Sequence, residues 1–359
     1  MSSNIQIISK SELDYHVIEN SNTDLVYPVA NLQIKQVSRK WRTDIAEGIQ
    51  DPEQLICDLT EFYTMSGWSL NGHNLSYASK IRLTLYTYTA PMATMTNAVD
   101  VGGTHVDITY AGGHGATEGS SLLGVHCINV VGMTDLNDKV FDGVYISPTV
   151  MRIELATVQS YTSGGTSRVM VQVFDTTKPG VPVQYGWGIQ PWGLGGWYGY
   201  DTSVERRDFT HIWFPDVTAS FMRVIIEDAS NTDGYIEAGR MFLGNSIKPK
   251  YNMLFGATID YQTQTRLQRT RSGSLLSDNR PTYKVASFIL DYLSENEAME
   301  LLSIMDDPSI AGDALISMYP DHTGLLGQQT TLLGRFTSHS PLARSEYGYS
   351  FQVEFEEGK

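Results

Sequence analysis

Short runs in which apolar and polar residues alternate recur along most of this chain, separated by Gly, Asn and Asp rather than by helix caps. A period of two predicts strands with one buried face. Ile81, Leu83 and Leu85 alternate with Arg82 and Thr84, which reads as a half-buried strand. Trp68 and Leu70 run into Asn71-Gly72, a strand entering a tight turn. Ile56, Leu59 and Phe62 are candidates for one strand face just before it. Residues 221–226 and 240–244 repeat the pattern on either side of a turn rich in Asn and Asp. Segments 41–86 and 221–244 therefore read as the opening and closing strands of one sheet, brought side by side across a long excursion.

That excursion covers 90–208. Residues 100–124 (DVGGTHVDITYAGGHGATEGSSLLG) are too Gly-rich for a strand core and read as a long ordered loop. Residues 145–159 and 167–175 read as two strands joined by a Ser-Gly-Gly turn. The run 185–201 then spaces Tyr185, Trp187, Trp192, Trp197, Tyr198 and Tyr200 with Gly and Pro. Such rings can anchor a neighbouring subunit, stack on a sugar, or cap their own sheet. Six large rings in one loop exceed what a single domain edge needs to bury, which favours the subunit contact.

Composition shifts at 247–256 (IKPKYNMLFG). Beyond it, strands are expected at 257–262, 282–292, 332–335 and 347–356. The one strong helix is 294–307: Ser294 caps it, Glu297 completes a capping box, and Ala298, Leu301, Leu302 and Met305 form its apolar face. The fold class is mainly β: a jelly-roll β-sandwich over 31–247, followed by a small β-barrel-like domain with one helix over 248–359. Residues 1–30 read as an arm, or a short strand pair, that needs a partner surface.

The chain carries 25 Lys and Arg against 40 Asp and Glu, a net charge of −15. That argues against specific nucleic-acid binding, which needs clustered cations. The basic cluster is Arg266, Arg269 and Arg271, with Lys248 and Lys250 nearby. It reads as an extended loop, either solvated or in contact with an acidic protein surface, packaged DNA or a tape-measure protein, the acidic surface being the one expected. Two cysteines, Cys57 and Cys127, make no disulfide framework and are expected as free thiols. No apolar run reaches the length of a membrane span, and residues 1–17 lack the basic and apolar regions of a secretory signal, so synthesis in a cytoplasm is expected.

Signatures of chemistry are missing. There is no nucleophile elbow, zinc-protease helix, Walker loop or dinucleotide fingerprint. His105, Asp107, His114 and His126 match no zinc spacing. Asp228, Asn231 and Asp233 before Gly234 suggest a calcium loop superficially and an Asx turn more simply. No cofactor, metal or enzymatic activity is expected.

Segments 41–86 and 221–244, with the large insert between them, resemble the galactose-binding-like (discoidin-type) jelly roll, in the version found in virion structural proteins of tailed bacteriophages. The strand–helix–strand order after 248 resembles the small β-domain of tail-tube and distal-tail ring proteins. The resemblance implies a structural part of the virion tail, at its tip, baseplate or distal end. Implied partners are copies of the same chain in a threefold or sixfold ring and neighbouring tail proteins. The alternative is a carbohydrate-binding module that recognises host glycan during adsorption.

Overall fold

The computed structural model describes residues 4–358 except 21, 47–51, 77, 89–90, 103, 120–122, 134–135, 156–159, 181–207, 264, 270–274, 279, 307–311, 323–324 and 346–347. It is mainly β, with sandwich packing of jelly-roll type.

Two strands of 19 residues, Glu53–Asn71 and Phe209–Glu227, organise the first part of the fold. They pair antiparallel in separate stretches, with register shifts between Trp213 and Val217 and between Ala219 and Phe221. Thr60, inside the second interruption, has φ +59°, an unusual conformation for a β-branched residue. At these bulges the strand pair turns a corner and folds over itself. The 53–58 half, with Lys80–Tyr88 and Thr166–Pro179, makes one layer; the 65–71 half, with Arg240–Gly244, makes the other. Leu55, Cys57, Leu83 and Val224 from the first layer share a core with Trp68, Leu70, Ile212 and Leu243 from the second. Phe174 and Phe214 stack across that core at 4.4 Å. Sandwich corners are made by strands that change sheets in this way. The opening and closing segments are thus direct neighbours, as their alternation predicts.

The excursion is more ordered than its glycine content suggests. Ala93–Gly102, His105–Tyr110, Val150–Glu154, Lys139–Ser147, Leu123–Ile128 and the start of Thr166–Pro179 pair in that order, and the last returns to the first. The result is a closed six-strand ring around Val106, Ile108, Val125, Cys127, Met151 and Ile153. Two sequence expectations are corrected here. Much of 100–124 is strand rather than loop, because its glycines sit at turns (Gly102, φ +98°) or at a close contact. A Cβ on Gly124 would lie 2.6 Å from Tyr86 Cε1, so only glycine lets the ring pack on the sandwich there. The described part of 145–159, residues 145–155, is likewise not one strand but parts of two hairpin strands broken at Pro148-Thr149.

The C-terminal sheet runs Gln6–Ile8, Ala314–Ser317, Thr331–His339, Gly348–Glu357, Thr282–Leu293, Thr258–Thr263. Helix Glu295–Asp306 lays Ala298 and Leu301 on a core with Phe288, Leu290, Phe351 and Phe355. Its capping box forms: Ser294 N donates to Glu297 Oε2 at 2.7 Å, and Glu297 N to Ser294 Oγ at 3.4 Å. Leu302 is half-buried, and the Met305 side chain lies outside the described residues. A second, shorter helix, Leu325–Thr330, is an addition to the single helix expected.

The segment read as an arm finds its partner surface within the molecule. Gln6–Ile8 is the first strand of the C-terminal sheet, and Ile18–Glu19 pairs with the long strand at Ile56 and Cys57. Ile8, Phe209, Phe242, Leu315 and Leu333 then form an apolar cluster between the second sandwich layer and the C-terminal sheet.

Candidate functional site

The described residues carry two exposed surfaces whose chemistry is unused by the fold. The first is the far edge of the C-terminal sheet. Thr258–Thr263 is hydrogen-bonded to Thr282–Leu293 on one side, and five of its six residues are exposed. The opposite edge is closed, because Ile7 exchanges backbone hydrogen bonds with Ile247 at 3.1 and 2.8 Å. Just before the open strand, Phe255 stands fully exposed; Leu254, whose N donates to Ile289 O at 2.9 Å, Tyr251, Ile289 and Tyr292 are exposed as well. Tyr251 and Tyr292 meet edge-to-face at 6.0 Å. Tyr292 (φ +58°) sits at a register shift of its strand, and Gly256 (φ +100°) turns the chain after Phe255. Register places Asp260, Glu354 and Glu356 on the outward face of this sheet, with Glu356 opposite Arg335 and Glu354 accepting from Ser338 Oγ at 2.8 Å.

Arg266–Arg269 follows this edge, and it is not the loop expected: it forms a hairpin with Leu275–Asp278. Arg269 is exposed, and Arg280 donates to Asp278 at 2.9 Å. Arg271 lies outside the described residues, so the three arginines are placed together only in part. Tyr185, Trp187, Trp192, Trp197, Tyr198 and Tyr200 also lie outside them. The flanks of that loop are close together: Thr210 Oγ1 donates to Gly180 O, His73 Nε2 is 2.9 Å from Thr210 Oγ1, and Gly72 N donates to Asp208 O at 2.6 Å.

The second surface is the corner of the long strands. Asp58 accepts from Thr60 N at 2.8 Å, from Arg168 Nη1 at 2.8 Å and from the Tyr88 hydroxyl. The Arg168 guanidinium lies 4.0 Å from the Tyr88 ring centre. Phe62, thrown outward by the bulge, is 60% exposed and meets Tyr88 edge-to-face at 6.4 Å. Glu19 faces this corner, and its pKa is raised by burial and by the charges of Asp138 and Asp58. No sequence signal marks the corner, because its residues come from four separate strands.

The other candidates are absorbed by the fold. Asp107 pairs with Arg152 at 2.7 and 2.9 Å, and His114 Nε2 bonds Ser147 O at 2.7 Å. His126 is buried against Phe221, its pKa lowered by desolvation. Asp228 accepts from Ser76 N and Asn231 Nδ2, and Asp233 N donates to Asn231 Oδ1 at 2.9 Å, the bonds of an Asx turn. Cys57 and Cys127 are free and buried, and desolvation pushes both thiols up to about 12. A cleft of about 640 Å³ opens between 35–38 and the end of the C-terminal sheet, with Lys35, Arg335, Glu356 and Glu357 in its lining.

No family model and no curated protein matches this chain. Solved structures with some likeness include a family 32 carbohydrate-binding module of a Clostridium perfringens GH89 enzyme in complex with GalNAc-β-1,3-galactose. It is 6% identical, with a TM-score of 0.27, over 65% of this chain and 97% of that one. Another is the family 32 module of NanJ from the same organism in complex with galactose, at 8% identity and a TM-score of 0.25, over 67% of this chain and 98% of the other. A third is SpGH29, at 10% identity and a TM-score of 0.25, over 66% of this chain and 28% of that one. Scores this low support no transfer of site or ligand.

Proposed function

We propose that this chain is a non-catalytic structural component of a larger assembly, attached through its C-terminal sheet. The setting implied by the sequence resemblance is the tail of a bacteriophage virion, with the jelly roll projecting as a platform. The supporting observation is the open edge Thr258–Thr263 beside a fully exposed Phe255. Open edges template pairing with another chain, and exposed aromatic clusters mark contact surfaces. Light scattering of the purified protein across concentration tests this. A defined particle larger than one chain, or a stoichiometric complex with a co-expressed tail protein, is expected. A monomer that joins neither contradicts it.

A second reading, recognition of a neutral glycan, draws support from the corner. An exposed ring beside a half-buried Arg–Asp pair combines a stacking face with fixed polar groups, the composition of small-molecule sites. Titration with galactose-terminated and other neutral glycans tests it: saturable binding lost in Phe62→Ala supports the reading, and no binding by the wild type removes it.

A further inference from the structure

We infer that the seam between the six-strand ring and the sandwich is an acid-sensitive latch. A proton taken up by His126 opens the ring away from the layer beneath it and leaves the sandwich folded.

Strand alternation builds this seam. Val125 and Cys127 turn into the ring core, so His126 between them turns outward onto the sandwich, its imidazole 5.2 Å from the Phe221 ring. Directly opposite it on the two neighbouring strands are Arg168 and Val140, and directly opposed residues share a face. Val140 and Met170 from the ring side form one apolar cluster with Ile56, Tyr86 and Phe221 of the sandwich. Polar contacts cross the seam around it: Arg168 Nη1 to Asp58 at 2.8 Å, Arg223 Nη1 to Asp142 at 2.8 Å and Val140 N to Gln54 Oε1 at 3.2 Å. His126 is left out of them. It is 5% exposed, and neither ring nitrogen has a hydrogen-bond partner. A buried polar group without a partner is costly, and a buried cation without one is costlier.

The charges acting on His126 come from three elements: Asp138 in the turn before Lys139–Ser147, Asp58 on the long strand, and Arg168. Glu19 lies near the same two aspartates. Strand Phe209–Glu227 adds Arg223, and strand Lys80–Tyr88 adds Arg82, Tyr86 and Tyr88; both arginines are paired with Asp142, and the Tyr88 hydroxyl donates to Asp58. Burial lowers the His126 pKa most; Asp138 and Asp58 raise it without cancelling the burial, and Arg168 lowers it further. Below the ordinary imidazole value of about 6.5, the open seam takes up a proton that the closed seam refuses, so closure weakens as pH falls. One proton limits the rise in opening to about tenfold per pH unit. Glu19 acts the other way, since its raised pKa favours the closed seam as it protonates. The ring can move as a unit because Thr166–Pro179 pairs with ring strands at one end and with Lys80–Tyr88 at the other.

Amide exchange of the full chain between about pH 7 and pH 5 tests it. The wild type is compared with His126→Leu and His126→Gln at each pH, so that the intrinsic pH dependence of exchange cancels. The reporter is the Val140 amide, which crosses the seam to Gln54; the amides of 222–225, in the middle of the sandwich layer, are the control. Relative to both variants, wild-type exchange at Val140 should rise by up to about tenfold per pH unit below 6.5, while 222–225 stay slow. The same pH dependence at Val140 in all three proteins overturns the latch. So does a joint rise at Val140 and 222–225, which marks unfolding of the whole sandwich. The imidazole's own titration in the wild type, followed by NMR, needs no variant: a midpoint below 6.5 is expected, and one at or above it overturns the inference.

Discussion

Arg240 and Asp313, 73 residues apart, are joined by two hydrogen bonds, Nε to Oδ2 at 2.7 Å and Nη2 to Oδ1 at 3.3 Å. The same guanidinium reaches Asp14 at 2.5 and 2.8 Å and the Leu32 carbonyl at 3.4 Å. Arg240 is completely buried. Burial opposes its charge, but the hydrogen bonds and charges of Asp14 and Asp313 outweigh that and raise its pKa. One side chain thus joins the N-terminal segment, the sandwich and the C-terminal part.

Arg240→Leu should cost about 3–5 kcal/mol, because it leaves two carboxylates partly buried and unpaired. Arg240→Lys should recover little of this, since an ammonium cannot form the fork with both acids. Adding Asp14→Asn and Asp313→Asn to Arg240→Leu should restore much of the loss. Chemical denaturation of the four proteins reads these differences directly.

Leu301→Asp should prevent the C-terminal core from forming. Leu301 is 2% exposed among Phe288, Phe351 and Phe355, and an unpaired carboxylate there has no partner. Loss of protease resistance confined to the region after residue 248 is the expected outcome; wild-type thermal unfolding would show the helix is packed elsewhere.

Gly124→Val should loosen the contact between the six-strand ring and the sandwich. The added side chain starts 2.6 Å from Tyr86 Cε1, and Tyr86 is itself fully buried. Overpacking of this sort costs about 1–3 kcal/mol. Proteolysis should then nick the ring before the rest of the chain, and unchanged cleavage would place the contact elsewhere.

Stability should fall as pH drops from about 6.5 toward 4. Desolvation and then the charge of Lys178 lower His211 to about 4, and desolvation lowers His126. Below 6.5 the unfolded chain takes up protons on these histidines that the folded chain refuses, so stability is lost as pH falls. For His211 the limit is about 3 kcal/mol. Glu19 works the other way, because its raised folded pKa favours the folded state as it protonates. Thermal midpoints across this range, with His211→Asn as the comparison, separate the contributions: the variant should show the flatter profile.

Much of the fold was legible because its signals are local. Alternation at 81–85 and the Ser294–Glu297 capping box each lie within a few residues, and the strand and the box both form, although Thr84 on the strand's second face is buried as well. Asn71-Gly72 ends its strand in a bend (Gly72, φ +67°) rather than a tight hairpin turn. The six-strand ring was hidden because its glycines are spent at turns and against Tyr86, which dilutes the alternation of Val106, Ile108 and Tyr110. The strands Gln6–Ile8 and Ala314–Ser317 are short and pair across some 300 residues, so no window contains both. Of the candidate surfaces, the arginines were visible as a cluster, whereas the aromatic edge emerged only when the fold brought Tyr251 and Tyr292 together.

Hydrogen–deuterium exchange of residues 258–263 tests the central claim most directly, comparing concentrated protein with the same protein diluted. Attachment through this edge predicts slow exchange in the assembled state and fast exchange on dilution, with the amides of Thr282–Leu293 slow in both. Equally fast exchange of 258–263 in particles that are demonstrably assembled would show that the edge stays open, and would contradict the account.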